Sequence, residues 1–390
     1  MTRRFLGAIC LLVLCIILVA GLWPFHAPRN EVRWLSHSNG LSFSKYGSVV
    51  SAGVLKFDAL QGSGPCSLEI WLEPSRIDGK GTILGFYWPE SEVVPFSIRQ
   101  YQNGLVLEHP NRQKVSDVEA GVFVDKVFHH PGPVLVTISS ASTSTSVYAD
   151  GALLRKFPAF GISSQDLTGR LVIANSPFVP YDWSGKIRGF ALYDRELTAE
   201  EVSQHLTNWT AVDHPDVKTG GLGGLYLFNE GQGNVVHNQM RSATDLIIPK
   251  RFFVLHEQFL ERPWDEYRPG WRYWKNIGVN VVGFIPLGFF FYAYFASSGR
   301  SNAAVAKTIA LGFIVSLTIE VLQAFLPTRD SGMTDLFTNT LGTAIGVILF
   351  RYERFHAVLS GMEFCNKKSS FFEITSPSGD VQARMRRQVS

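Results

Sequence analysis

Charge is scarce in this chain. Asp, Glu, Lys and Arg together make up 18% of the 390 residues, against about 25% in an ordinary soluble protein. Hydrophobic residues reach 46%, so part of the chain belongs in lipid rather than in water. Net charge is only +3, and no basic stripe is interleaved with aromatics, which excludes a nucleic-acid footprint. Cysteine is equally sparse: Cys10, Cys15, Cys66 and Cys365 lie far apart or in one apolar run. They form neither a disulfide framework nor a thiolate metal cage. His129-His130 has no acidic or histidine partner set by spacing and reads as a loop pair. The sequence implies no metal and no cofactor.

What is present is a set of long apolar runs. Phe5 to Phe25 carries no charge and follows Arg3 and Arg4. Its apolar part exceeds a signal-peptide core and no A-x-A site follows, so it reads as an uncleaved anchor. Asn276 to Ala296, Thr308 to Leu326 and a shorter run from Leu336 to Phe350 complete four passes. Lys and Arg are split almost evenly between the two sides. The first helix favours an inside N-terminus, which puts the region between the first and second passes outside. The stretch RPWDEYRPGWRYWK, residues 262–275, has the basic and aromatic mixture of a membrane–water boundary.

Between the first two passes the pattern changes to period two. SLEIWLE, GTILGFYW, PVLVTISS, GRLVIANS and GKIRGFALY are short alternating runs separated by turn residues, which predicts an antiparallel β-sandwich. Asn103-Gly104 and Asp150-Gly151 are expected at two-residue hairpin turns. Thr198-Ala-Glu-Glu201 has capping-box spacing and predicts one helix.

The order SLEIWLEP, GTILGFY, VYADGALLRKF and SGKIRGFALYDRELTAEEV resembles concanavalin A-like, laminin-G-type lectin domains. GLYLFNEGQGN, which opens such domains more often than it closes them, comes last and suggests a circularly permuted layout. Endoglucanases of this architecture carry E-x-D-x-E; here Glu69-Ile-Trp71-Leu-Glu73 has Trp71 in place of the middle Asp. A glycosidase needs two carboxylates flanking the bond, so three readings stand: a catalytic pair, solvent-facing Glu69 and Glu73, or Trp71 stacking on a carbohydrate.

The polar residues of the apolar runs converge. Asn276 and Asn280, Glu320 and Gln323, and Asp335 and Asn339 each share a helical face. Counted from the helix ends at 1.5 Å per residue, Asn280 lies roughly 6 Å and Glu320 roughly 9 Å in. The three helices enter from one side, so these groups form one shallow layer. Gly283, Gly288, Gly342 and Gly346 offer close-packing surfaces that would bring the faces together. Polar groups at this depth either bind a ligand or only join helices, with Arg329 and Asp335 as an ion pair.

NIGVNVVGFIPLGFF followed by IEVLQAFLPTRDSGMTDLFTNTLGTAIG is similar to the VanZ family of bacterial membrane proteins. Its E-x-x-Q-x-F…R-x5-D-x3-N-x2-G-x3-G pattern is met by Glu320, Gln323, Phe325, Arg329, Asp335, Asn339, Gly342 and Gly346, and its N…P-x-G by Asn280, Pro286 and Gly288. The resemblance implies a bacterial cytoplasmic membrane, an envelope role and a link to glycopeptide resistance, without a settled molecular activity.

Together these readings divide the chain into a transmembrane helix (1–29), a β-sandwich (30–250), an aromatic linker (251–275), a three-helix VanZ-like region (276–352) and a cytoplasmic tail (353–390). The leading expectation is an envelope protein whose extracytoplasmic sandwich binds a glycan or protein. Its helices would handle a lipid-linked or cell-wall-linked ligand. Glu320 is then the candidate base or proton relay, Arg329 binds an anionic headgroup, and Asn280, Gln323 and Asn339 orient the ligand while Asp335 holds Arg329. The alternatives are a membrane-anchored carbohydrate- or protein-binding scaffold and an extracellular glycosidase.

Overall fold

The computed structural model describes residues 3–56, 64–91, 93–109, 121–141, 143–177, 181–210, 220–240, 244–255, 259–267, 270–297, 301–329 and 331–373, the side chains of 265, 301, 302 and 354–373 excepted. The chain forms two compact units. One is helical and comprises Met1–Trp23, Phe259–Gln323 and Ser331–Ser390; the other comprises Pro24–Gln258 with Ala324–Asp330.

The second unit is an antiparallel β-sandwich. Its strands are β1 (Val32–Trp34), β2 (Leu41–Phe43), β3 (Val49–Ser51), β4 (Cys66–Pro74), β5 (Lys80–Tyr87), β6 (Ser97–Tyr101), β7 (Gly104–Glu108), β8 (Gly121–Val124), β9 (Val134–Ser140), β10 (Thr145–Ala149), β11 (Ala152–Phe157), β12 (Arg170–Ile173), β13 (Gly185–Tyr193), β14 (Leu222–Tyr226), β15 (Val235–Val236) and β16 (Leu246–Ile247). One sheet has the order β1-β2-β13-β4-β9-β10-β11, with β14 also on β13; the other runs β15-β16-β3-β12-β5-β6-β7-β8.

Alternation places the core. Leu68, Ile70 and Leu72 of β4 point between the sheets, where they meet Phe86, Ile98, Leu107 and Phe190. The opposite side of β4 is also covered. A helix, Ala199–Thr210, lies across it, and Tyr193, Val202 and Trp209 form a second apolar cluster there, with Trp71 packed against it. Gly189 is obligatory beneath this helix, because the Trp209 ring occupies the space a Cβ would take.

Local signals behave as their chemistry demands, with one shift. Thr198 N donates to Glu201 Oε2 at 2.9 Å and Glu201 N to Thr198 Oγ1 at 3.3 Å, closing the capping box. Asp150 and Gly151 both have positive φ, 46° and 76°, as a primed hairpin turn requires. The β6–β7 hairpin instead pairs Tyr101 with Gly104. Its turn residues are therefore Gln102 and Asn103, one position earlier than expected, with Gln102 at φ 55°.

The helical unit contains α1 (Arg3–Leu22), and, past the sandwich helix α2 described above, α3 (Pro263–Glu266), α4 (Trp271–Ala296), α5 (Ser301–Gln323) and α6 (Met333–Glu373). Four stretches are long and apolar enough to cross a membrane: Arg3–Leu22, Trp271–Ala296, Ala303–Gln323 and Met333–Glu353. The last is longer than the Leu336–Phe350 run expected, since the helix starts within the preceding loop. Residues 374–390, the end of the stretch 353–390 expected as a cytoplasmic tail, lie outside the described residues.

Glycines fix the helix directions. Gly342 packs on the Val281 carbonyl and Gly346 on the Ile285 carbonyl, so α4 and α6 advance together and are parallel. Gly312 faces Thr343, whereas Ser316 meets Asn339, so α5 is antiparallel to α6. Gly7 lies against Tyr294 and Gly21 against Ile319, which runs α1 opposite to α4. The end of α1, the start of α4, the end of α5 and the start of α6 thus share one end of the bundle. Nothing approaches Gly283 within 4 Å; contrary to expectation, it plays no part in this packing.

Candidate functional site

The helical unit buries a polar group beside its apolar clusters and exposes apolar side chains outside. Leu11, Leu12 and Ile16 of α1, Val279 and Val282 of α4, Ile314 of α5, and Leu341 and Ile348 of α6 are all exposed, while Glu320 is 1% exposed. Such an inversion suits a hydrocarbon surround, where backbone polarity is satisfied within helices and polar side chains turn to the bundle interior.

Three rungs, each one helical turn apart, cross the α5–α6 seam. Gly312 makes room for Thr343, whose hydroxyl donates to the Asn339 carbonyl at 3.0 Å. Asn339 Nδ2 then donates to Ser316 Oγ at 2.9 Å. Glu320 on α5 and Asp335 on α6 stand at the third rung by the same four-residue step. Ser316 and Glu320 are four apart on α5, as are Asp335 and Asn339 on α6, so both pairs line the same seam.

At the shared end of the bundle, carboxylates occupy the free backbone donors at the start of α6. Glu320 Oε2 accepts the Gly332 N–H at 2.9 Å, and Glu266 Oε1 accepts the Thr334 N–H at 3.3 Å. Placing an acid at a helix N-terminus is favourable because of the unpaired N–H groups there. Glu261 completes the strap: its N–H donates to the Ser331 carbonyl at 3.0 Å and its carbonyl accepts the Met333 N–H at 2.9 Å. Gln323 Nε2 donates to the Gly21 carbonyl at 2.8 Å and ties α5 to the end of α1.

The structure therefore brings Glu320, Gln323, Asp335 and Asn339 to one end of one bundle. Asn280 is half-buried on α4, and among the described residues no hydrogen bond joins it to this group; Asn276 is exposed. Arg329 is exposed and belongs to the Ala324–Asp330 segment grouped with the β-unit. Two participants escaped the sequence reading. Ser316 is a lone serine in an apolar helix, and Glu266 sits in a stretch whose aromatic and basic residues dominate its pattern. Trp264, Tyr267, Trp271 and Trp274 beside it are exposed.

The sandwich corrects the expectation for Glu69. Far from being a solvent-facing charge, it is 0% exposed beneath α2. Thr137 Oγ1 donates to it at 3.1 Å, Tyr193 Oη at 2.8 Å and Trp209 Nε1 at 2.9 Å, and His205 Nδ1 lies 3.0 Å away. A carboxylate so enclosed cannot flank a glycosidic bond. Glu73 is bound to Lys186 at 2.9 Å and to Arg188 at 3.2 Å; burial pushes its carboxyl up, and the two cations together outweigh this and hold it below the usual range. Trp71 is half-buried against the α2 cluster, with the Arg188 guanidinium 5.6 Å from its ring centre. His130, expected to lack an acidic partner, lies 3.6 Å from Asp150 because the β10–β11 turn returns beside it. No cluster of three or more His, Cys, Asp or Glu side chains suited to a metal ion occurs among the described residues.

Fold and site define a membrane-associated protein that joins a helical bundle to a concanavalin A-like β-sandwich. Residues 202–356 match the VanZ/LLP1 family, and residues 46–203 match the Concanavalin A-like lectin/glucanases superfamily. The VanZ/LLP1 match begins within α2, well before the first helix of the bundle that follows the sandwich. No curated protein matches the chain. Among solved structures, a Bacteroides ovatus protein assigned to carbohydrate binding by name alone is 14% identical with a TM-score of 0.40, over 57% of this chain. The chain spans 63% of that protein's length. A heptameric pentraxin from Limulus polyphemus is 12% identical with a TM-score of 0.35, over 57% of this chain and 93% of the other. A sialidase carbohydrate-binding module from Ruminococcus gnavus is 13% identical with a TM-score of 0.33, over 43% and 95%.

Proposed function

We propose that this is an envelope protein of a bacterial cytoplasmic membrane, with an extracytoplasmic sandwich that binds a glycan or protein and a helical unit that handles a lipid-linked or cell-wall-linked amphiphile. The observation that carries this reading is the burial of Glu320, Gln323 and Asn339 at one end of a bundle with apolar outer faces. Burying charge and amide there is costly without a role, and the depth is that of a lipid headgroup. Arg329, read from the sequence as the residue for an anionic headgroup, is exposed, and a contribution to glycopeptide tolerance follows if the ligand is a wall precursor. The test is a lipid and glycan binding screen on the intact protein against a Glu320→Gln, Arg329→Ala double variant. Retained binding of every ligand by the double variant would remove these residues from the function.

A second reading has its own support: Glu320, Gln323 and Asn339 each make a hydrogen bond that joins two elements. On this view the bundle is only an anchor for a binding domain. Transplanting the sandwich onto an unrelated membrane anchor separates the two, since full function there would leave the bundle no role beyond anchoring. The glycosidase reading has no support from the Glu69–Glu73 pair, given the enclosure of Glu69.

A further inference from the structure

The outer face of the second sheet, over β6, β7 and β8, carries aromatic rings that the core does not use. Ile98, Leu105, Leu107, Val122 and Val124 are buried in the core, so alternation turns Arg99, Tyr101, Val106 and Phe123 to the opposite side. Tyr101 and Phe123 remain 41% and 40% exposed. Their rings meet edge to face, with centroids 6.3 Å apart and planes at 85°. Gly104 permits this: it pairs with Tyr101 across the hairpin, and the Phe123 ring lies where its Cβ would be. Tyr181, 39% exposed, is fixed beside them. Its N–H donates to Oδ1 of the buried Asn175 at 3.0 Å, and its carbonyl accepts the Thr82 N–H of β5 at 2.9 Å. Two cations border the rings. Lys80 Nζ lies 4.6 Å from the Tyr101 ring centre, and the Arg99 guanidinium 5.5 Å from that of Tyr181. Arg99 is paired with Glu108 at 3.0 Å. Lys80 is exposed, and no carboxylate pairs with it among the described residues.

We propose that Tyr101, Phe123 and Tyr181, with Lys80 and Arg99, form a binding platform for an oligosaccharide that carries a carboxylate. This deepens the glycan reading of the sandwich given above and rests on it. Rings left in water on a sheet face forgo the burial that makes aromatics stabilising, so a partner of matching chemistry is expected to cover them. Each ring is bordered by a hydrogen-bonding group: Lys80 and the exposed Gln102 beside Tyr101, and Arg99 beside Tyr181. An apolar helix or an acyl chain would bury these groups without partners, at a cost. A pyranose presents C–H faces edged by hydroxyls, so its faces rest on Tyr101 and Phe123 while its hydroxyls reach the polar border. The Arg99 charge is already matched by Glu108 and that of Lys80 is not. One carboxylate on the sugar completes the balance through a charge-assisted hydrogen bond from Lys80.

The experiment applies the full chain, labelled and held in detergent micelles, to an array of neutral, uronic-acid and sialylated oligosaccharides. Carboxylated members should bind in preference to neutral ones, and added salt should weaken that preference. Tyr101→Ala and Phe123→Ala should each weaken binding about tenfold or more. Lys80→Gln should remove the preference for carboxylated glycans and leave binding of neutral ones unchanged. Should a variant fail to fold, acetylation of the unaltered protein decides, because a bound carboxylated glycan should shield Lys80 from the reagent. Glycan binding that survives all three substitutions, or that leaves Lys80 as reactive as in the free protein, would overturn the platform and leave the glycan reading standing. Equal or stronger binding of neutral glycans would overturn the carboxylate assignment. Binding of no glycan at all overturns both the platform and the glycan reading.

Discussion

Asn339 on α6 donates through Nδ2 to Ser316 Oγ on α5 at 2.9 Å, with both side chains buried. This bond sets the register of the seam, because the rungs on either side follow from it at four-residue intervals. Replacing Ser316 with Ala should cost about 1–3 kcal/mol by stranding a buried amide. The Ser316→Ala, Asn339→Leu double variant should be little worse than Asn339→Leu alone. Thermal unfolding in micelles measures both, and additive losses would show that the two residues are not coupled.

Close helix contact is the second relationship open to test. The Ile285 carbonyl fills the space beside Gly346, and nothing lies near Gly283. Gly346→Leu should destabilise the bundle by about 3 kcal/mol or more, since backbone rather than a flexible side chain must yield. Gly283→Ala should be neutral or stabilising by up to about 1 kcal/mol. Equal effects at the two sites would refute the packing described.

Glu69 should be a structural centre of the sandwich. Glu69→Leu leaves the donors of Thr137, Tyr193, His205 and Trp209 facing an apolar side chain. A loss of about 3–5 kcal/mol is expected, with Glu69→Gln milder because an acceptor survives. Guanidinium unfolding followed by tryptophan fluorescence reports it, and a near-neutral Glu69→Leu would contradict the four-donor arrangement.

The start of α2 carries a pH signature. The hydrogen bond from Arg195 holds the Glu201 carboxyl down, from 4.5 to about 2. A depressed folded-state value stabilises the fold above the ordinary value, and that contribution is lost as pH falls from about 4.5 toward 2. The pair is partly exposed, so the effect is at most about 1 kcal/mol and shrinks in high salt. Glu201→Gln should flatten this part of the stability–pH curve; an unchanged curve would assign it to other carboxylates.

Much of this architecture is legible in the chain. Apolar runs of bilayer length gave the helices, alternation gave the sandwich strands, and Thr198 with Glu201 marked the start of α2. The four-residue spacing of Asp335 and Asn339 placed them on one face. Ser316 was not legible, because a serine in an apolar helix has the same local pattern whether or not a partner faces it. The Gln102–Asn103 turn was missed because Asn-Gly dominates the local signal, while the register of Ile98 and Leu107 in the core decides which two residues turn.

Local sequence thus determined the element types and which side chains share a face, because helix and strand periods are properties of the backbone. Tertiary structure decided what each face meets. Glu69 is separated from Trp209 by 140 residues and Gln323 from Gly21 by 302, and no local period carries that information. Whether a polar side chain ends in water, under a helix or across a seam depends on that long-range pairing, which is set by the packing of whole faces.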